Sequence, residues 1–248
     1  MRARYLVLAA VLVGCAGQRP EAGTVELTAV DGLPVFGDWH PAETDEPAGT
    51  LVVFHQGGGD VRGEYERIVP RLNNLGFDVL GADLRRGGDR FGMVNRTAPP
   101  GADSLYTYCD ALPDVEAALT EALRFDPQPI LWGSSFSAAL VIQAAARQPD
   151  RVRGVLAFSP ASGDPMEGCR PEAVSGGLDV PLLVVRAQRE MEYPSVSEQM
   201  AHFEEEGHIT FVADPGVHGS SSLDAERVGA STEEAWRVVE AFLRGLPR

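Results

Sequence analysis

Pro129-Ile130-Leu131-Trp132-Gly133-Ser134-Ser135-Phe136-Ser137-Ala138 passes from an unbroken apolar run into alanine-rich, helix-forming sequence, with two serines at the join. If Pro129–Trp132 is a buried strand and Ser137–Arg147 an amphipathic helix, Ser135 sits on the turn between them. A side chain displayed on so sharp a turn needs small residues two before and two after it, so that the two backbone arms can pass. Gly133 and Ser137 hold those places. The turn also sets the Ser135 hydroxyl at a helix N-terminus, where free N–H groups and the helix dipole favour an oxyanion. The full pattern, G-x-S-x-G, ends here in Ser137 instead of glycine. The competing reading makes Ser134 or Ser135 an ordinary helix N-cap.

The 248 residues suit one α/β domain with a sizeable buried sheet and leave little for a second. Arg2 and Arg4 precede an apolar run, Tyr5 to Val13, too short to span a bilayer as a helix, and this reads as a signal peptide. It continues into Leu12-Val13-Gly14-Cys15, which resembles the bacterial lipoprotein box. That resemblance implies cleavage before Cys15, lipidation of its thiol and anchorage in the cell envelope. Ala16, in place of an acidic residue, fits the periplasmic side of an outer membrane. An ordinary signal peptide with an incidental Cys15 thiol is the alternative. The expected organisation is a leader over 1–14, a lipidated cysteine and tether over 15–23, and one domain over 24–248.

Acidic residues number 36 against 21 basic ones, all arginine, for a net charge of −15; losing Arg2 and Arg4 with the leader would make it −17. Such a balance argues against nucleic acid or an anionic membrane surface as a partner, leaving the lipid anchor as the expected membrane contact. With Cys15 lipidated, Cys109 and Cys169 remain as an even pair in an oxidising compartment, so a disulfide is expected. No Cys or His lies at ligand spacing from either, and no metal site is read there.

Apolar runs rich in Val, Leu and Ile alternate with amphipathic segments, the pattern of a mostly parallel sheet covered on both faces. Eight strands are expected, near Val25–Val30, Leu33–Trp39, Thr50–His55, Asp78–Asp83, Pro129–Trp132, Gly154–Ser159, Pro181–Arg186 and Ile209–Ala213. The first two, split by Asp31-Gly32, read as an antiparallel hairpin at one edge. Helices are expected over Tyr65–Leu75, Pro113–Arg124, Ser137–Arg147, Val196–Glu206 and Glu233–Leu246. Asp110 and Ser231 or Thr232 read as N-caps, and Gly76 and Gly207 as C-terminal stops. Residues Arg85–Tyr108 and Pro160–Asp179 have no clear period and follow strands, so they belong over a pocket at the carboxyl ends of the strands.

Three further strand ends carry chemistry-bearing residues. His55-Gln56-Gly57-Gly58-Gly59 follows the third strand, and its glycines let backbone N–H groups turn toward an anion. Ala187-Gln188-Arg189-Glu190-Met191-Glu192 follows the seventh and offers Glu190, or Glu192, as an orienting carboxylate. Pro215-Gly216-Val217-His218-Gly219-Ser220 follows the eighth and places His218 on a glycine-flanked loop. His202 and His208 fall in a helix and at a strand start, His40 follows an edge strand, and His55 more naturally shapes its loop than carries protons.

The order Ser135, Glu190, His218, each after a different strand, is similar to that of the α/β-hydrolases. Ala82-Asp83-Leu84-Arg85-Arg86-Gly87-Gly88 resembles the Asp-x-Arg-Gly turn of that superfamily, and the compact outline looks closest to its dienelactone-hydrolase-like branch. The resemblance covers roughly Val25 to Leu246 and departs at Ser137, at Glu190 for aspartate, at Gln56, and at Ser135 where dienelactone hydrolases carry cysteine. It implies an α/β-hydrolase fold without a large cap domain, and no cofactor. Ser135 would be the nucleophile, His218 the base and Glu190 its orienting acid. The amides of Phe136 and Gly57, or of Gln56 one residue earlier, would form the oxyanion hole.

The implied reaction is hydrolysis of small carboxylic esters through an acyl-enzyme, with short acyl groups held under Arg85–Tyr108. A catalytically silent, envelope-bound binding lipoprotein on a hydrolase scaffold, or a peptidase or acyltransferase with the same three residues, are the alternatives.

Overall fold

The computed structural model describes residues 19–247; the expected leader, Cys15 and the first part of the tether lie outside the described residues. One eight-stranded sheet runs through the domain in the order β1-β2-β4-β3-β5-β6-β7-β8. The strands are β1 (Gly23–Thr28), β2 (Pro34–His40), β3 (Gly49–Phe54), β4 (Phe77–Ala82), β5 (Ile130–Ser134), β6 (Gly154–Phe158), β7 (Leu182–Ala187) and β8 (Ile209–Ala213). β1 and β2 form the expected hairpin, β2 pairs antiparallel with β4, and every other pair is parallel. All eight strands fall within a few residues of their expected places.

The central strands read as continuous apolar runs because neither face meets water. β4, β5, β6 and β7 are buried at every residue. Along β5, Leu131 points into one core with Val52, Leu80 and Val155, while Ile130 and Trp132 point into the other with Leu51, Val53 and Leu156. Trp132 stacks on Phe158 of the neighbouring strand with ring centroids 5.0 Å apart. Each such aliphatic side chain contributes about 1.5–3 kcal/mol on burial.

The helices are α1 (Val61–Tyr65), α2 (Val69–Asn74), α3 (Ala102–Leu105), α4 (Leu112–Ala122), α5 (Phe136–Arg147), α6 (Pro194–Glu205), α7 (Ala225–Val228) and α8 (Glu233–Gly245). α4, α5 and α6 cover one face, and α1, α2 and α8 the other. No described helix is long and apolar enough to cross a membrane.

Two local expectations are corrected. The helix read over Tyr65–Leu75 begins four residues later, as α2, and a separate short helix, α1, precedes it. Asp60 caps α1 by accepting from Gly63 N at 2.7 Å, and Pro70, with no N–H to extend that ladder, stands in the first turn of α2. Asp110 does not cap α4: its carboxylate accepts from Thr107 N (2.7 Å) and Thr107 Oγ1 (2.8 Å), closing a turn ahead of the helix. Within the expected tether, Arg19 pairs with Asp78 and donates to the Ala42 carbonyl at 2.8 Å.

The six parallel strands, β3 to β8, bring six strand-end loops to one edge of the sheet. Cys109 and Cys169 form a disulfide, Cα atoms 5.7 Å apart, joining the segment before α4 to the segment after β6. Both segments border that edge.

Candidate active site

Ser135 has φ 62° and ψ −118°, a left-handed conformation that a side-chain-bearing residue adopts at a cost of about 1–3 kcal/mol. The neighbouring chain holds it there. Ser135 N donates to the Phe158 carbonyl (2.8 Å), and its own carbonyl accepts from Ala138 N and Ala161 N, both at 3.1 Å. Gly133 is required by the turn, since a Cβ there would overlap the Ser137 carbonyl and the Ala138 amide. Ser137, where the pattern has glycine, is fully buried and laces the turn. Its hydroxyl accepts from Ser134 N (2.8 Å) and lies 3.1 Å from the Phe54 carbonyl at the end of β3.

Ser135 stands at the N-cap position of α5, yet its hydroxyl makes no capping hydrogen bond, nor any other among the described residues. Ser134 is fully buried, with its hydroxyl 2.6 Å from Glu64 Oε1. Of the two serines, only Ser135 offers a free, partly exposed hydroxyl.

Glu190 and His218 meet: Glu190 Oε1 contacts His218 Nδ1 in a short hydrogen bond. The other carboxylate oxygen, Oε2, accepts from Ser159 Oγ at 2.8 Å and from Arg186 Nη1 at 3.3 Å. Burial alone pushes the Glu190 carboxyl up, but the hydrogen bond and charge of His218, the Arg186 guanidinium and Ser159 together hold it below the ordinary glutamate value. An ionised carboxylate only accepts, so Nδ1 carries the proton in this pair. Glu192 makes no hydrogen bond to His218 among the described residues.

Ser159 aligns both partners. With φ 50° at the end of β6, it donates to Glu190 and accepts from Gly219 N at 3.0 Å, tying the loop that carries His218. Arg186 is 6% exposed at its side chain and also holds the Pro160 carbonyl and Gln199.

The amides on the glycine loop divide. Gln56 N donates to Glu64 Oε2 at 2.7 Å and is committed, whereas Gly57 N and Phe136 N have no acceptor among the described residues. The expectation that left Gln56 open is therefore narrowed to Gly57. Tyr108 walls this region: its ring stacks on Phe136 with centroids 4.7 Å apart, and its hydroxyl would lie 3.1 Å from a Cβ on Gly57. His55 is fully buried, its Nδ1 paired with the Gln56 carbonyl (2.9 Å) and its Nε2 accepting from Leu84 N (2.9 Å), so it shapes the loop. Arg85 is occupied by Asp114 and Asp31 and stands apart from these groups.

A cavity of about 620 Å³ opens beside His218, lined by Pro160, Ala161, Ser162, Arg186 and Val196 among others. Both irregular segments are expected over the pocket: the wall beside His218 comes from the segment after β6 and from α6, and Arg85–Tyr108 contributes Tyr108 beside Phe136 and Gly57. A larger hollow of about 940 Å³, between β2 and the α1–α2 pair, touches neither Glu190 nor His218. Among the described residues, no three His, Cys, Asp or Glu side chains are grouped as metal ligands.

Ser159, Arg186, Tyr108 and Glu64 are participants that sequence reasoning did not single out. A polar residue ending a buried strand was a usable signal for Ser159 and Arg186. Nothing in sequence spacing marks Glu64 or Tyr108.

A strained serine between a buried strand and a helix, with a carboxylate–histidine pair from later strand ends, defines an α/β-hydrolase arrangement. The model of the alpha/beta hydrolase fold family matches residues 50–177, just over half of the chain, and this protein belongs to that family. No curated protein matches the chain. Among solved structures, the Pyrococcus furiosus esterase Pf2001 is similar with a TM-score of 0.69 and 14% identity, covering 90% of each chain. A Klebsiella pneumoniae protein assigned as a dienelactone hydrolase has a TM-score of 0.65 and 16% identity over 91% of this chain and all of its own. The Pyrococcus horikoshii acylaminoacyl peptidase has a TM-score of 0.64 and 15% identity; the match spans 91% of this chain and 42% of the peptidase. At these identities the likeness is one of fold.

Proposed function

We propose that this chain is a serine-dependent hydrolase of small carboxylic esters. The observation that carries the proposal is the Glu190–His218 pair, held by Ser159 on the same strand-end edge as a strained serine with a free hydroxyl. In this mechanism Ser135 Oγ attacks the ester carbonyl carbon while His218 Nε2 takes its proton. The amides of Phe136 and Gly57 receive the developing oxyanion. The tetrahedral intermediate then expels the alcohol, which leaves with the proton returned by His218. Water, deprotonated by the same nitrogen, attacks the acyl-enzyme and frees the acid and Ser135. Glu190 holds the Nδ1–H tautomer and stabilises the imidazolium that each proton transfer creates. Export, lipid attachment at Cys15 and residence on the periplasmic side of an outer membrane complete the proposal, on the strength of the leader sequence.

Glu190→Gln is expected to lower kcat by about 10⁴-fold, the scale seen when an orienting carboxylate is made an amide and the wrong tautomer results. Glu192→Gln is expected to leave kcat within about threefold, as for a surface residue uninvolved in the pair. Steady-state rates of the two variants decide between the carboxylates, and the reverse ranking moves the acid to Glu192.

Substrate size is tested with acyl esters from acetyl to palmitoyl. A wall that packed each added methylene would raise kcat/KM about fourfold per carbon, from about 0.8 kcal/mol per buried CH₂. The expected result is a plateau or fall after the first few carbons, because the cavity beside His218 mixes Pro160, Ala161 and Val196 with Ser162, Glu198 and His202. A steady rise to the longest chain overturns the small-ester reading.

A further inference from the structure

The mechanism leaves several buried ionisable groups unused, Asp60, Asp83, Asp114 and Glu64 among them. Glu64, 1% exposed on α1, lies where the three strand-end segments of the candidate site come together. Its Oε2 accepts from Gln56 N (2.7 Å), immediately before Gly57. Its Oε1 takes the Ser134 hydroxyl (2.6 Å), immediately before Ser135, and the Gln56 side-chain amide (3.1 Å). Ser134 Oγ in turn accepts from Ser220 N at 2.9 Å, two residues after His218. Gly219 crosses so close above this pair that a Cβ would overlap Ser134 Oγ and lie 3.5 Å from Glu64 Oε1.

A carboxylate in the interior is costly unless donors surround it, and burial pushes this one above the ordinary glutamate range against the hydrogen bonds from Ser134 and Gln56. A core stabilised by packing alone has no need of such a group. Its partners are also specific: one from the oxyanion loop, one from the nucleophile turn and, through that hydroxyl, one from the histidine loop.

We propose that Glu64 is a positioning residue, fixing the register of the Gly57 amide, Ser135 and His218 relative to one another through Gln56 N and the Ser134–Ser220 link. The proposal rests on the esterase reading above. Glu64 touches no reacting atom; it acts by preventing relative shifts of the three segments. Displacements near 1 Å at a reacting centre cost on the order of 100-fold in rate.

The test compares Glu64→Gln, Ser134→Ala and the double variant with wild type, by ester kinetics and by the rate of fluorophosphonate labelling, at a temperature where circular dichroism shows each folded. Glutamine keeps the size of the side chain but must set its NH₂ against one of the two Gln56 N–H donors. The expected result is a fall in kcat of about 10–100-fold for Glu64→Gln with KM within about threefold, and a parallel fall in labelling rate. Ser134→Ala is expected to lose about tenfold, and the double variant no more than Glu64→Gln alone, because both break one chain of contacts. A stabilising role without positioning would lower the melting temperature and leave kcat of the folded protein unchanged, which overturns the proposal. Multiplicative losses in the double variant overturn it as well. Wild type that takes no label overturns the esterase reading, and this proposal falls with it; wild type and Glu64→Gln labelled at equal rates overturn the proposal alone.

Discussion

Replacing Ser135 by alanine is expected to lower ester turnover by roughly a million-fold and to abolish covalent labelling by a fluorophosphonate, with the protein still folded. The size of the effect follows from removing the atom that carries the acyl group. What activity remains would come from binding and the Phe136 and Gly57 amides acting on water. Stability should change little, because the Ser135 hydroxyl has no hydrogen-bond partner among the described residues to lose. Alanine meets the same φ of 62° and bears the same backbone strain as serine. Mass spectrometry of labelled protein, with a melting curve of the variant, checks both halves. Label retained in Ser135→Ala and lost in Ser134→Ala would move the nucleophile by one residue.

His218→Ala is expected to cost nearly as much, again roughly a million-fold in kcat, since nucleophile and base act as a unit and losing either removes the shared step. The folded state should tolerate the change. The His218 side chain is 47% exposed, and Glu190 keeps Ser159 Oγ at 2.8 Å and the Arg186 guanidinium at 3.3 Å as partners once the imidazole is gone. Glu190 therefore does not become an unpaired buried charge. The labelling rate should fall with the hydrolysis rate, because both need the proton of Ser135 removed. A variant that hydrolyses esters at the wild-type rate would show that another group takes that proton.

The two losses should not multiply in the double variant. Ser135→Ala with His218→Ala should be no slower than either single change, because a base without its nucleophile has nothing to deprotonate. That non-additivity contrasts with changes at exposed sites far from the pair, whose effects should simply add.

Much of this molecule is legible in one dimension because its main signals are local. β4 to β7 are buried on both faces, so each appears as an apolar run bounded by turn residues, and no knowledge of neighbours is needed to find it. The strand-to-helix turn at Ser135 is local as well: Gly133, Ser135 and Ser137 obey a steric rule spanning five residues. Positions of the carboxylate and histidine loops follow from counting strands, since parallel topology sends every such loop to the same edge. The start of α2 is also local, marked by Pro70 in its first turn, although the sequence reading begins that helix four residues early.

Tertiary structure decided whatever depends on which of several equivalent groups meets a distant partner. Glu190 and Glu192 share one 3₁₀ turn, and only the path of the loop after β8 selects Glu190 for His218. Gln56 and Gly57 present adjacent amides, and the choice between them falls to Glu64, eight residues on, which occupies the first. Ser137 looks like a mere substitute for glycine until the Phe54 carbonyl, 83 residues away in sequence, is found within reach of its hydroxyl. Glu64 itself is one of 36 acidic residues, and no composition or spacing separates a carboxylate buried among donors from one facing water. Steric rules along the chain wrote the strands and the turn at Ser135, whereas the pairings of buried polar groups came into being only when separate strand ends were brought within hydrogen-bonding distance.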